Sequence, residues 1–169
     1  IDTATLEHAE YDKPDLPCLK AAKAAKTLPE KMKAIVYGDD KGARFTWKAL
    51  AANLIYAANR IPEISDTIVE IDNAMRWGFN FELGPFQTWD AIGVKESVIK
   101  MIADGFTVPD KVKAMLDAGN DSFYKIENGQ TVYYDFSSAS YKPVQTSAAI
   151  ISLAGLKAAN KTIKSCKSA

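Results

Sequence analysis

From Ala43 to Ile61 the apolar residues Trp47, Leu50, Leu54, Ala57 and Ile61 recur at steps of three or four. That period puts side chains on one stripe of an α-helix and predicts the longest helix of the chain here, stopped by Pro62. Ser65 is suited to cap the next helix, whose inner face would carry Ile68, Ile71 and Met75, and Gly78 suits its C-terminal cap. An aromatic turn over 79–83 leads to a helix opened by Pro85, with Phe86, Trp89 and Ile92 inward and Gly93 at its end. Val94, Val98, Met101 and Ile102 mark another helix, terminated at Gly105. Pro109 starts one more, with Val112, Met115 and Leu116 on its stripe and Gly119 closing it. Upstream, the Ala- and Lys-rich stretch Cys18 to Lys26 and a helix whose first turn holds Pro29, ending near Gly38, give two short helices.

A different pattern follows Gly119. Phe123-Tyr124-Lys125 and Thr131-Val132-Tyr133-Tyr134 are β-type runs flanking Asn128-Gly129, the dipeptide best suited to a tight hairpin turn. Ser147 can cap a final helix carrying Ile150, Leu153, Ala154 and Leu156. Residues 1–17 mix charges with Pro14 and Pro17 without a sustained period and read as a linker or a strand remnant. Lysine-rich residues 161–169 read as a tail or a linker to a following domain. The expected fold is therefore mainly all-α, a helical domain over 18–160 with one small β hairpin near 122–136.

Composition narrows the function more by exclusion than by pointing. Lys plus Arg equals Asp plus Glu at 21 each, so no global field draws the chain to nucleic acid or to an anionic membrane. A length of 169 residues suits one compact unit with a core of its own. No apolar run approaches the ~20 residues needed to span a bilayer. Cys18 and Cys166 lie near opposite ends without CxxC spacing, which signals neither a zinc site nor a disulfide framework and suits the cytoplasm. Beginning at Ile1 without Met, the chain reads as a piece of something longer.

The most specific stretch is Ile71 to Gly93. It contains Ile71-Asp72-Asn73-Ala74-Met75-Arg76-Trp77-Gly78, then Gly84-Pro85-Phe86, then Asp90-Ala91-Ile92-Gly93. This run resembles the C-terminal domain of the L-3-hydroxyacyl-CoA dehydrogenases of fatty-acid β-oxidation, whose pattern is Ile-Asp-x-Ala-Met-x-x-Gly, Gly-Pro-Phe and Asp-x-x-Gly. The aromatic-rich wording from Met75 to Phe86 is most similar to the second copy of that domain in bacterial multifunctional proteins that also carry an enoyl-CoA hydratase unit. The resemblance extends over roughly residues 20–160 and implies an array of short helices.

For such a parent the resemblance implies oxidation of (S)-3-hydroxyacyl-CoA to 3-ketoacyl-CoA, with NAD on a separate upstream domain and a hydratase-like domain downstream. No Gly-x-Gly-x-x-Gly fingerprint or phosphate-binding P-loop occurs in this sequence. The family's catalytic His and Glu sit on the cofactor unit; the only histidine here, His8, does not match that motif and reads as an exposed residue. The catalytic copy also carries an Asn at the start of its long helix, and an ungapped count back from Asp72 lands on Trp47, whose indole cannot supply an amide's paired donor and acceptor. The expectation is a chain without catalytic, cofactor-binding or metal residues of its own.

Several other groups admit two readings. Glu82 and Asp90 could form an acidic pair beside an acyl chain. The structural reading places Glu82 against the positive end of the Pro85 helix and has Asp90 anchor a neighbouring backbone turn. Helical spacing puts Trp47, Phe86 and Trp89 in the core. Trp77, Phe79 and Phe81, with Glu82, are candidates for an interface or an acyl pocket, and a homodimer is one use of such a surface. Lys157, Lys161, Lys164 and Lys167 could meet the phosphates of coenzyme A but read more simply as a solvated face, as do Lys20, Lys23 and Lys26. A noncatalytic interaction module that no longer handles acyl-CoA is the alternative to a supporting domain of the dehydrogenase.

Overall fold

The computed structural model describes Ile1, residues 4–8 and residues 14–145, so the expected helix after Ser147 and the lysine-rich tail lie outside the described residues. Two compact units are formed, Ile1–Trp47 and Lys48–Ala169. The boundary between them falls within the longest helix of the described residues.

In the first unit, α1 (Pro17–Ala24) begins on a proline, and α2 (Leu28–Val36) begins with a full capping box. The Thr27 hydroxyl accepts from Glu30 N, while the Glu30 carboxylate accepts from Thr27 N. Asp40 then caps α3 (Lys41–Asn59): its carboxylate accepts from Ala43 N at 2.9 Å and also from Cys18 N at 2.6 Å, at the start of α1. The Cys18 thiol donates to the same carboxylate at 3.2 Å. Trp47 is buried beside Tyr37, their ring centroids 6.1 Å apart.

The second unit continues α3 and adds α4 (Ile68–Phe79), α5 (Pro85–Ile92), α6 (Val94–Ala103) and α7 (Asp110–Asp117). Along α3 the buried stripe runs through Ala51, Leu54, Ala57 and Ala58; Leu50, expected on it, is only half-buried. Helix starts at prolines follow from their fixed φ and missing N–H. The cap of α4 is Thr67 and not Ser65, because the Ser65 hydroxyl is turned to the Thr67 carbonyl at 3.1 Å. At the other end α4 runs through Gly78 to Phe79, and Asn80 takes the left-handed conformation at φ 56°, which asparagine tolerates through its short polar side chain. Ile102 is exposed, unlike its neighbours Val98 and Met101.

Downstream, the sheet has three strands in the order β1 (Tyr124–Glu127), β2 (Gln130–Asp135), β3 (Ser140–Pro143), all antiparallel. Glu127 pairs with Gln130 across Asn128 (φ 49°) and Gly129 (φ 78°), and two positive φ values give the turn that matches strand twist. The expected hairpin is thus present, extended by a third strand. Asp135 holds the second turn: it accepts from Ser137 N and from the hydroxyls of Ser137 and Ser138, and pairs with Lys142. Burial alone would raise its carboxyl, but the Lys142 ammonium and these donors hold it well below the usual range.

The core of this unit is an aromatic nest. Phe86 meets Phe123 edge to face at 5.0 Å, Trp89 lies 5.3 Å from Phe123, and Phe136 closes the group. The Trp89 indole N–H is satisfied by Ser97 Oγ at 2.7 Å, and Ser97 donates in turn to Val94 O. Among the described residues no helix is long and apolar enough to cross a membrane.

Candidate functional site

The site is built around the joint between α4 and α5. Asp72 lies one turn after Ile68 and shares its buried face, so a carboxylate enters a position that the helix period reserves for apolar residues. There it meets the first turn of α5, whose N–H groups have no partner within the helix. Asp72 Oδ1 accepts from Phe86 N at 2.8 Å and Oδ2 from Gln87 N at 3.1 Å. Gln87 reaches back to accept from Gly84 N at 3.2 Å. Gly84 has ordinary extended backbone, at φ −77° and ψ 176°; what it provides is space, since a Cβ there would sit 2.4 Å from Asp72 Cα.

Asp90, further along α5, performs the same service for the sheet. Its Oδ1 accepts from Phe123 N at 2.7 Å and its Oδ2 from Tyr124 N at 2.8 Å. Tyr124 closes the set by donating its hydroxyl to the Asp72 carboxylate. Two carboxylates and a phenol thereby link α4, α5 and β1.

Burial raises the Asp72 carboxyl to about 6, against the opposing pull of the Phe86 and Gln87 amides and Tyr124. Asp90 is raised by burial to about 7, with repulsion from Asp72 and Asp121 adding to it. Burial, and then the Asp72 charge, push the Tyr124 phenol far above its ordinary range, so it stays a donor. A hollow of about 770 Å³ opens beside this cluster, lined by Asn73, Arg76, Trp77, Gln87, Asp90 and Tyr124 among others.

The sequence-derived candidates fall into distinct places. Asp72, Gly84, Pro85, Phe86 and Asp90 come together at the joint, and Gly93, at φ 91°, ends α5. Ala74 and Met75 line a different hollow, and Gly78 is exposed in the last turn of α4. Glu82 is exposed, and the carboxylate that meets the α5 amides is that of Asp72. Phe86 and Trp89 are core, as spacing suggests, whereas Trp77, Phe79 and Phe81 are 79%, 68% and 52% exposed, with the last two rings 6.0 Å apart. His8 is exposed. Tyr124 and Arg76 were not singled out by the sequence reading, which placed Tyr124 only in a β-type run.

The chemistry available at the joint is that of a brace: every oxygen of Asp72 and Asp90 receives a backbone amide. Among the described residues no group of three or more His, Cys, Asp or Glu could hold a metal ion. A nicotinamide dinucleotide needs a strand that turns through glycines into a helix. Here every described helix precedes the strands, and the sheet is an antiparallel meander, so these residues do not fit that cofactor.

Comparison with known proteins adds the family. The profile described as 3-hydroxyacyl-CoA dehydrogenase, C-terminal domain, matches residues 45–135. A relative named "Probable 3-hydroxyacyl-CoA dehydrogenase" from Bacillus subtilis (strain 168) is 45% identical over 157 residues, 93% of this chain and 20% of the relative. The chain thus spans about a fifth of the length of that curated relative. No solved structure matches it.

Proposed function

Because the chain belongs to the family of 3-hydroxyacyl-CoA dehydrogenase C-terminal domains, we propose that it is the supporting helical domain of an NAD-dependent dehydrogenase of fatty-acid β-oxidation. The parent would oxidise (S)-3-hydroxyacyl-CoA to 3-ketoacyl-CoA in the cytoplasm. NAD would be held on a separate upstream domain, and a hydratase-like domain would follow. This chain would be a second copy of the helical domain, shaping the substrate cleft or an interface without a catalytic dyad of its own.

The observation that carries the reading is the use made of the motif's polar groups. Asp72 and Asp90 each hold two backbone amides, one on each carboxylate oxygen, which supports a role as structural ties. Trp47, at the position counted for the family's amide, is buried beside Tyr37. Incubated with NAD+ and (S)-3-hydroxybutyryl-CoA, the 169-residue chain is expected to form no NADH above background. Turnover abolished by Glu82→Gln or His8→Ala would overturn the reading.

A second reading, an interaction or dimerisation module that no longer handles acyl-CoA, is favoured by one observation, the exposed aromatic group Trp77, Phe79 and Phe81.

A further inference from the structure

Asn128 and Gly129 close the β1–β2 hairpin, with φ 49° and 78°. Strand pairing ends at Glu127 and Gln130, so the Gly129 N–H stands outside the ladder, and Asn128 is exposed at the tip. Every other asparagine of the sequence precedes a residue that carries a Cβ. Only here is the amide nitrogen that follows an asparagine unobstructed by a side chain of its own residue.

We propose that Asn128 is a site of covalent modification, at which Gly129 N displaces the side-chain amide nitrogen and water then leaves aspartate or isoaspartate. In the first step Gly129 N gives its proton to solvent and attacks Asn128 Cγ. The new N–C bond closes a succinimide ring, the amide C–N bond breaks, and ammonia leaves after taking a proton from solvent. Water next opens the ring at either carbonyl. Cleavage of the bond to Cγ gives aspartate; cleavage of the bond to the main-chain carbonyl gives isoaspartate, whose backbone runs through the former side chain. Water is the only co-reactant, and no group is oxidised or reduced.

Both products place a carboxylate beside Glu127, whose own carboxylate pairs with Lys125 at 2.6 Å. Isoaspartate also adds a methylene to the backbone of the turn. Hairpin register is set by turn length, so the longer turn does not keep Glu127 opposite Gln130. The tip of the hairpin therefore loosens as the chain ages, while Tyr124 at the other end of β1 stays tied to Asp90. The inference does not rest on the dehydrogenase reading, since it requires neither substrate nor turnover.

The 169-residue chain, kept folded in mildly alkaline buffer for weeks, digested in acid and mapped by tandem mass spectrometry, tests it. First-order replacement of the amide by an acid at Asn128 is expected, with aspartate and isoaspartate both present. Asn53, Asn59, Asn73, Asn80 and Asn120 should keep their amides over the same interval. Mildly acidic buffer, where hydroxide to remove the Gly129 proton is scarce, should slow the loss several-fold in the unaltered chain. Gly129→Ala should slow it as well, read on protein that circular dichroism shows to be folded, because alanine is strained at φ 78°. No loss at Asn128, faster loss at another of these asparagines, equal rates in the two buffers, or an unchanged rate in folded Gly129→Ala overturns the proposal.

Discussion

Asp72 and Asp90 each collect two backbone N–H donors, which favours the charged carboxylate, yet burial outweighs this and raises them to about 6 and about 7. Their ordinary value, which the unfolded chain recovers, is 3.8. Between about pH 4 and pH 7 the folded chain therefore binds more protons than the unfolded one, and stability falls as pH rises through that window. Asp135, Asp40 and Glu30, all held below their ordinary values, act the other way, and only at lower pH. The urea midpoint should accordingly be higher at pH 5 than at pH 8, by the equivalent of a few kcal/mol. The Asp72→Asn/Asp90→Asn double variant should lose most of that slope, and an equal slope in the variant would place its origin elsewhere. Asp72 was legible in the sequence as part of a motif. Its task was not, because the amides it binds belong to residues 14 and 15 positions later and only the crossing of two helices brings them within reach.

At the scale of elements, the helices were readable because their starts and stops are local. Pro17, Pro85 and Pro109 stand at helix starts and Gly93 at an end, each acting through its own backbone. Caps were harder. Ser65 and Thr67 have similar chemistry two residues apart, and Gly78 and Asn80 compete in the same way, so the choice depends on where packing halts the helix. The third strand had little apolar signal, since Ser140 to Pro143 is mostly exposed and is held by Asp135 and its pairing with β2. The α4–α5 crossing has little tolerance at Gly84. Gly84→Ala would place a methyl 2.4 Å from the Asp72 backbone, where no flexible side chain can yield. It should cost roughly 3 kcal/mol in urea unfolding, and an unchanged midpoint would contradict the close approach.

For the whole molecule, the family was more legible than the task, because the run Ile71 to Gly93 identifies a domain, while on the proposed reading the activity rests on residues outside this chain. The exposed aromatics were legible as a surface, since Trp77, Phe79 and Phe81 fall at the end of a helix and in a turn, where spacing assigns no core role. If this surface joins copies of the chain, sedimentation should show dimers that Trp77→Ser/Phe79→Ser dissociates; a monomer in both removes the dimerisation form of the second reading. The central claim is that the motif's carboxylates hold the fold together. Urea unfolding of Asp72→Ala, followed by amide hydrogen exchange, tests it most directly. Loss of two charge-assisted hydrogen bonds in a buried joint should lower stability by about 3 kcal/mol or more and deprotect the Phe86 and Gln87 amides. An unchanged midpoint with both amides still protected would contradict the account.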